Sequence, residues 1–249
     1  MKLSTVILPK IVLFGLVCEG LLAYPLLGND QSKAILTLLN QMQSSYAQVE
    51  DYTAVFHKQE RVEGELLPDE TMLLKFQKPL KIYTKWIEDP HREREALYVE
   101  GKYDNKVIAH EGGILGFATL PLDPGSSIAM RGNRHPITDV GFGHLIDRLS
   151  KDIQTAVAYD ELEIIRIGEE SFNNRPGIVV EVKSIPRAGR KYYASRMVLH
   201  VDKELMLPVG AAFYDGEDQL FEKYAYTDVR LNVGFTPMDF SRSNAAYHF

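Results

Sequence analysis

The spacing of apolar residues predicts two amphipathic helices, in residues 30–49 and 137–159. In both segments apolar side chains recur every three or four positions, which places them on one face of a helix. The first stripe consists of Ile35, Leu38, Leu39, Met42, Tyr46 and Val49, and the second of Phe142, Leu145, Ile146, Leu149, Ile153 and Ala156. Thr138 or Asp139 can cap the second helix. Such stripes are typical of helices that cover a core.

Elsewhere the apolar pattern alternates with a period of two, which is typical of strands. In residues 79–87 one face carries Leu80, Ile82, Thr84 and Trp86, and the other carries Lys81, Tyr83, Lys85 and Ile87. Similar runs occupy residues 51–62, 71–78, 95–101, 105–110, 161–171, 177–185, 191–202 and 207–229. Because short turns join neighbouring runs, we expect about ten strands that pair antiparallel in one sheet. The pattern predicts an α+β fold without a linker that would divide it into domains.

Residues 112–136 interrupt this pattern with a long segment that is rich in glycine and proline and is also apolar. Loops of this length are uncommon in a compact domain unless they are functional or disordered. An apolar loop is poorly solvated, so we expect this one to fold back over the sheet as a lid. Its lid side chains are predicted to be Ile114, Leu115 and Phe117, with Gly112-Gly113 as the hinge.

The first residues have the pattern of an export signal. Lysines accompany an apolar run that ends near the small residue Ala23. A basic start, an apolar centre and a small residue at the cleavage position are typical of a secretory signal peptide. We therefore predict a signal peptide in residues 1–23, a single mature domain in residues 24–249 and a periplasmic location. An uncleaved membrane anchor and a lipid-modified Cys18 are the alternatives.

Composition excludes several classes of function. The chain of 249 residues has 28 basic and 34 acidic residues, a net charge of −6, and so lacks the basic surface that nucleic acids require. Cys18 is the single cysteine and falls within the predicted signal peptide, which excludes disulfides and thiolate metal sites from the mature chain. The sequence has no H-E-x-x-H, G-x-S-x-G or glycine-rich phosphate motif. We therefore expect no metal and no cofactor.

Five long segments together resemble a bacterial envelope family of unknown function that is related to the LolA/LolB-type lipoprotein carriers. They are EDYTAVFHKQERVEGEL, FQKPLKIYTKW, REALYVEGKYDNKVIAHEGG, GNRHPITDVGFGHLIDRL and YTDVRLNVGFTPMDF. The resemblance implies a LolA-like half-barrel, in which helices cover the concave side of a strongly curved antiparallel sheet. It also implies non-enzymatic binding or shuttling of a lipid, a lipid-linked group or lipoprotein acyl chains, as in outer-membrane lipoprotein sorting.

On such a fold the concave face is an apolar cavity if the helices pack loosely, and an ordinary core if they pack tightly. The candidate wall residues of a cavity are Leu74, Phe76, Ile82, Trp86 and Leu97. For each residue taken singly, core packing is the alternative, because buried apolar residues usually only pack. The expected partner is a lipid or an acylated protein, held by a monomer that contacts the membrane transiently.

Arg131, Arg134 and His135 lie just before the second predicted helix. A helix start with nearby arginines suits an anion such as a phosphate or a carboxylate. We expect this segment to contact the polar end of an amphiphile, and a solvated basic turn is the alternative.

Two other classes of function stay open. His144 and Asp147 are three residues apart on the second predicted helix and share a face, so they could serve a hydrolase or a metal enzyme. A sensor or assembly module of the envelope would instead present its convex face or an edge strand to a protein partner. We expect a binding protein rather than an enzyme, because scattered histidines and aspartates occur by chance in most chains of this length.

Overall fold

The computed structural model describes residues 28–112 and 119–249, which form two α-helices and twelve β-strands. The helices are α1 (Gly28–Ala47) and α2 (Phe142–Ala158). The strands are β1 (Asp51–Val62), β2 (Glu65–Leu66), β3 (Glu70–Gln77), β4 (Lys81–Trp86), β5 (Glu95–Val99), β6 (Val107–His110), β7 (Thr119–Leu122), β8 (Leu162–Phe172), β9 (Arg175–Ser184), β10 (Arg196–Asp202), β11 (Pro208–Tyr214) and β12 (Leu220–Leu231). Neither helix is long and apolar enough to cross a lipid bilayer.

The described strands build one open antiparallel sheet. Their order is β7–β6–β5–β4–β3–β1–β12–β11–β10–β9–β8, and β2 pairs with β1 outside this order. Every neighbouring pair is antiparallel. The pairing of β1 with β12 joins the two halves of the chain in the centre of the sheet, and β7 and β8 form its two edges. The predicted α+β fold class is confirmed, with short strands raising the count above the expected ten.

The two helices pack against one face of the sheet, which curves around them. Core residues of both helices form a single cluster with residues from β1, β3, β4 and β9–β12. Phe142, the first residue of α2, is fully buried. Its ring centre lies 4.8 Å from that of Tyr52 and 4.4 Å from that of Tyr226. The helices therefore cover the concave side, as predicted, and their apolar stripes supply the contacts.

The start of α2 differs from the prediction. The helix begins at Phe142 rather than at residue 137, and its N-cap position is Gly141, which has no side chain to cap it. Gly141 has a φ of 122°, and a Cβ atom there would lie 2.9 Å from the Tyr52 hydroxyl. A bulkier residue is excluded by both the backbone angle and the close approach. Residues 137–139 form a separate 3-10 turn.

The predicted long loop contains an edge strand. Residues 119–122 form β7, in which Leu120 lies opposite Ala109 and Leu122 lies opposite Val107. These apolar side chains extend the concave face of the sheet, which explains why Leu120 and Leu122 are apolar.

The C-terminal segment covers part of the convex face. A second buried cluster there consists of Tyr83, Leu97, Val99, Ile108 and Phe240. The ring of Tyr247 stacks on that of Tyr83 at 3.9 Å, and His248 Nδ1 forms a 2.7 Å hydrogen bond with buried Glu95. Strands β4 to β6 are therefore buried on both faces.

Phe142→Ala is expected to lower the free energy of unfolding by about 3–5 kcal/mol, because it leaves a cavity between α2 and the central strands. Ile165→Ala is the control, since Ile165 is 48% exposed on the edge strand β8 and should change stability by less than about 1 kcal/mol. Urea unfolding measures both. An equally small effect at the two positions would contradict the burial of Phe142.

Glu161→Gln is expected to reduce the loss of folding stability at low pH. The buried carboxylate accepts hydrogen bonds from the Arg190 side chain, the Tyr192 hydroxyl and the Arg187 main-chain N–H, with Arg190 contributing most, and the pKa of Glu161 is lowered to about 2. A lowered pKa stabilises the folded state above the unfolded pKa, about 4.3, and this stabilisation is lost as the pH falls through about 2. Wild-type protein should therefore lose more stability between pH 5 and pH 2 than the variant in urea unfolding. Parallel pH profiles would contradict this.

Candidate ligand cavity

A cavity of about 270 Å³ lies between the concave face of the sheet and the segment that leads into α2. This volume is close to that of the smallest common ligand sites, about 300 Å³. The sheet side is lined by Phe56, Met72, Thr84, Trp86, Ala96, Val107, Ala109, Leu120, Leu122, Tyr224 and Tyr226. The opposite side is lined by Pro124, Ile128, Ala129, Arg131, Ile137, Val140, Leu145 and Arg148. The cavity thus has an apolar part and a polar part, and the polar part is lined by Lys58, Glu60, Arg94, Glu95, Glu111, Asn133, His135, Asp139 and His144.

A row of short side chains on three neighbouring strands makes room for the cavity. Thr84 of β4 lies opposite Ala96 of β5, and Ala96 lies opposite Ala109 of β6. The row ends at Leu120, which is 47% exposed on the edge strand. Opposed side chains on adjacent strands are only about 5 Å apart, so three short ones in a row leave a trough. Larger residues at these positions would fill it.

The Thr84 hydroxyl is an unpaired polar atom in this trough. Thr84 is 2% exposed, and its Oγ1 has no hydrogen-bond partner within the described chain. Buried polar atoms are nearly always hydrogen-bonded, and an unpaired one is costly. The trough is thus apolar except for one hydroxyl.

Two buried carboxylates lie at the polar end of the concave face. Glu60 of β1 and Glu222 of β12 are directly opposite each other and are 4% and 0% exposed. Like charges at opposed positions destabilise a sheet, and buried charges need partners. Arg134 serves both: its main-chain N–H donates to Glu60 at 2.8 Å, and its Nε donates to Glu222 at 2.7 Å. Tyr224 also donates to Glu60, at 2.6 Å.

Glu222 binds further groups that fix the segment before α2. His135 Nε2 lies 2.8 Å from its carboxylate, and the Tyr193 hydroxyl donates to the same oxygen. Burial raises the pKa of Glu222, but hydrogen bonds from His135, Tyr193 and Arg134 outweigh it and hold the pKa below its usual value. The ionised Glu222 therefore holds residues 134–135 against the sheet at neutral pH.

Lys58 and Trp86 meet at Glu70, next to these carboxylates. Lys58 follows Phe56 on the same face of β1, is 8% exposed, and its Nζ lies 3.3 Å from Glu70. The same ammonium donates to the side-chain oxygen of Asn133. Trp86 Nε1 donates to Glu70 at 2.9 Å, so its ring lines the cavity while its N–H is fixed in the polar network.

Arg148 on α2 faces the cavity among aromatic and imidazole rings. Its Nη1 lies 3.1 Å from His135 Nε2, and its Nη2 lies 2.8 Å from His144 Nε2. The guanidinium lies 4.2 Å from the centre of the Tyr193 ring. Burial lowers the pKa of His144, and the nearby positive Arg148 adds to this against the opposing effect of Asp139. His144 is therefore a neutral acceptor for Arg148 at neutral pH.

Of the predicted wall residues, the structure places Trp86 in the cavity and the other four elsewhere. Leu74, Phe76 and Ile82 are buried in the main core with the helices. Leu97 lies on the convex face in the cluster with Phe240. The reason is the strand register: Thr84 faces the cavity and lies opposite Ala96, so the next residue, Leu97, points to the other side.

The structure separates the three residues of the predicted head-group segment. Arg131 is exposed and lines the cavity, and His135 lines it while bonded to Glu222. Arg134 is tied to Glu60 and Glu222, so it fixes the segment rather than presenting a free charge. The predicted lid residues Ile114, Leu115 and Phe117, and the hinge residue Gly113, lie outside the described residues.

His144 and Asp147 do not meet as an acid–base pair. His144 contacts Arg148 and lies 3.4 Å from Asp139. Asp147 is exposed, and no hydrogen bond joins it to His144 in the described structure. Residues 28–112 and 119–249 also contain no group of three side chains arranged to hold a metal.

The sequence pattern does not predict four residues that line the cavity, Glu60, Ala96, Ala109 and Arg148, or the buried Glu222 beside it. A signal for Glu60 was available, since it shares the alternating face of Phe56 and is polar at a core position. Ala96 and Ala109 carry no such signal, because a short apolar residue fits a tightly packed core equally well. Arg148 falls beside the apolar stripe of α2, one turn after His144.

Several solved structures are similar to this chain at low identity. The Pseudomonas aeruginosa MucA/MucB complex matches with 14% identity and a TM-score of 0.48, covering 84% of this chain and 60% of that chain. The Mycobacterium tuberculosis lipoprotein LppX matches with 9% identity and a TM-score of 0.47, covering 82% and 98%. A LolA superfamily protein from Nitrosomonas europaea matches with 10% identity and a TM-score of 0.35, covering 83% and 96%. This chain thus spans 60% of the matched chain of the MucA/MucB complex.

No curated protein matches the sequence significantly. A family model described as "protein of unknown function (DUF1571)" matches residues 49–249. The match contains all twelve strands and α2, and it confirms the resemblance to a family of unknown function. The chain therefore belongs to the DUF1571 family.

Proposed function

We propose that this protein binds a lipid, a lipid-linked group or a lipoprotein acyl chain in the concave cavity and carries it without catalysis. The row formed by Thr84, Ala96 and Ala109 is the observation that carries the proposal. A sheet whose concave face served only as core would gain stability from larger apolar residues at these positions, since close packing is favourable. Three short residues in register instead keep a trough open beside aromatic walls.

The size of the cavity favours one alkyl chain of medium length. At roughly 30 Å³ per water molecule, 270 Å³ holds about nine waters. Each methylene group moved from water into such a site contributes about 0.8 kcal/mol. A single chain can therefore bind with useful affinity, whereas two long chains exceed the volume.

The polar end of the ligand is proposed to lie toward Arg131, at the exposed rim. Arg134 is already paired with Glu222, so it supports the site by fixing the segment. Leu120 and Ile128 line the cavity and are 47% and 56% exposed, which suits a mouth that meets a membrane transiently during transfer.

The proposed carrier acts in the periplasm as a monomer. The predicted signal peptide in residues 1–23 supports export, and the single domain of residues 24–249 would be the mature protein. Its partner would be a lipid or an acylated protein, with no role for nucleic acid, since the net charge is −6.

Ala96→Phe is expected to fill the trough and weaken binding of a fluorescent alkyl probe at least tenfold, which corresponds to about 1.4 kcal/mol. The measurement is a fluorescence titration of the purified protein. Ala225→Phe is the matched control, because Ala225 is partly exposed on β12, lies outside the cavity lining and should leave affinity unchanged.

Thermal unfolding of both variants checks that each is folded. Unchanged affinity in folded Ala96→Phe would contradict binding in the trough. A wild-type protein that binds no alkyl probe would favour the alternative, a module that binds a protein partner.

Thr84→Val is expected to keep or raise the free energy of unfolding, because it replaces an unpaired buried hydroxyl by a methyl group of the same shape. The affinity for the alkyl probe should stay the same or rise, since the trough becomes fully apolar. Thr84→Ser, which keeps the hydroxyl, is the control. A loss of alkyl affinity in Thr84→Val but not in Thr84→Ser would show that the hydroxyl contacts the probe and that the trough is not a purely apolar site.

A further inference from the structure

We propose that Arg148 binds the acidic head group, a carboxylate or a phosphate, of a single-chain amphiphile in the concave cavity. This inference rests on the proposed function and goes beyond it by naming the chemical class of the ligand and the residue that selects it. Arg148 lies outside the basic segment that the sequence suggests for this role.

The position of Arg148 is that of a ligand anchor inside the cavity. It lies on the second turn of α2, its side chain is 19% exposed, and it lines the cavity together with His135 and His144. The Tyr193 ring below the guanidinium limits its motion. A guanidinium held in this way presents a planar pair of donors that matches the oxygens of a carboxylate or a phosphate.

Arg148 donates no hydrogen bond to a carboxylate of the described chain, and its ion pair with Glu222 is long. Its acceptors are imidazole nitrogens, His144 Nε2 at 2.8 Å and His135 Nδ1 at 3.5 Å, since Nε2 of His135 donates to Glu222. The nearest carboxylate oxygen in an ion pair with Arg148 is Oε2 of Glu222, at 3.7 Å, which is beyond hydrogen-bond distance. Glu222 is also shared, because Arg134 binds it at 2.7 Å. An anionic ligand can approach a largely buried guanidinium more closely than a carboxylate whose ion pair with it is long and shared.

The other cations that line the cavity either have a close carboxylate partner or are exposed to water. Lys58 lies 3.3 Å from Glu70, and Arg94 lies 2.9 Å from Glu111. Arg131 is exposed at the rim, where water screens its charge. Arg148 is therefore the cation within the described cavity that combines partial burial with the absence of a hydrogen-bonded carboxylate.

When no ligand is bound, the Arg148 guanidinium can pair with Glu222. Its Oε2 is buried without a hydrogen-bond partner, on the side of Arg148. A ligand acid therefore competes with Glu222 for the same guanidinium, and exchange of the ligand does not leave a bare buried arginine. Such competition favours release as well as binding, which a carrier requires.

The test compares matched ligands on the full-length mature chain by isothermal titration calorimetry. The probes are decanoate, decyl phosphate, methyl decanoate and acetate, so that charge, head group and chain are varied separately. Wild-type protein is expected to bind decanoate or decyl phosphate at least tenfold more tightly than methyl decanoate, and acetate not measurably. The stronger of the two acids identifies the head group.

Arg148→Gln is expected to remove the preference for the acid while keeping the affinity for methyl decanoate. Arg148→Lys should keep part of the preference, because the charge remains but the planar donor pair is lost. Arg230→Gln removes an exposed arginine of β12 outside the cavity lining and is the control for net charge. Thermal unfolding reports whether each variant is folded.

The outcomes separate this inference from the proposed function. Equal binding of decanoate and methyl decanoate by wild-type protein would overturn the role of Arg148 and leave the apolar cavity standing. Acetate binding as tightly as decanoate would show a free-anion site and would also overturn it. Absence of binding for every decyl probe would overturn both proposals.

Discussion

Two buried carboxylates that face each other across the central strand pair constrain the whole concave side of this structure. Glu60 and Glu222 are opposed in the pairing of β1 with β12, and both are buried. Their mutual repulsion and desolvation have to be offset by cations and donors close by. Arg134 contacts both carboxylates, and His135 and Tyr193 contact Glu222. The contacts of Arg134 and His135 hold the segment before α2 over the concave face. That segment forms one side of the cavity.

The apolar packing of α2 fixes the position of this helix on the concave face. Phe142 packs between Tyr52 and Tyr226, so α2 enters the hollow of the sheet at a fixed point. From there the helix carries His144 and Arg148 along the cavity while its apolar stripe faces the core. One helix thus fills part of the concave face and presents polar groups to the part that stays open. The short row of Thr84, Ala96 and Ala109 determines where that open part lies.

The sequence pattern predicted the fold better than the site, for reasons that particular residues show. The helical stripes and the alternation of β4 are local, and each is sufficient to place an element and its buried face. The alternation fails on β5, where Ala96, Leu97, Tyr98 and Val99 are all buried because the C-terminal segment covers the convex face. The pattern therefore predicts Leu97 in the cavity, where the structure places Ala96. The pairing of Glu60 with Glu222 joins residues that are far apart in the chain, and no local pattern indicates it.

The concave face is proposed to hold an amphiphile rather than to serve only as a core. Gentle purification of the wild-type protein, followed by native mass spectrometry, distinguishes these two possibilities. We expect one bound single-chain amphiphile per protein molecule, released as an intact acid and missing from Ala96→Phe. A wild-type protein that is consistently free of bound lipid, and stays free of it after incubation with extracted envelope lipids, would show that the concave face serves only as a core.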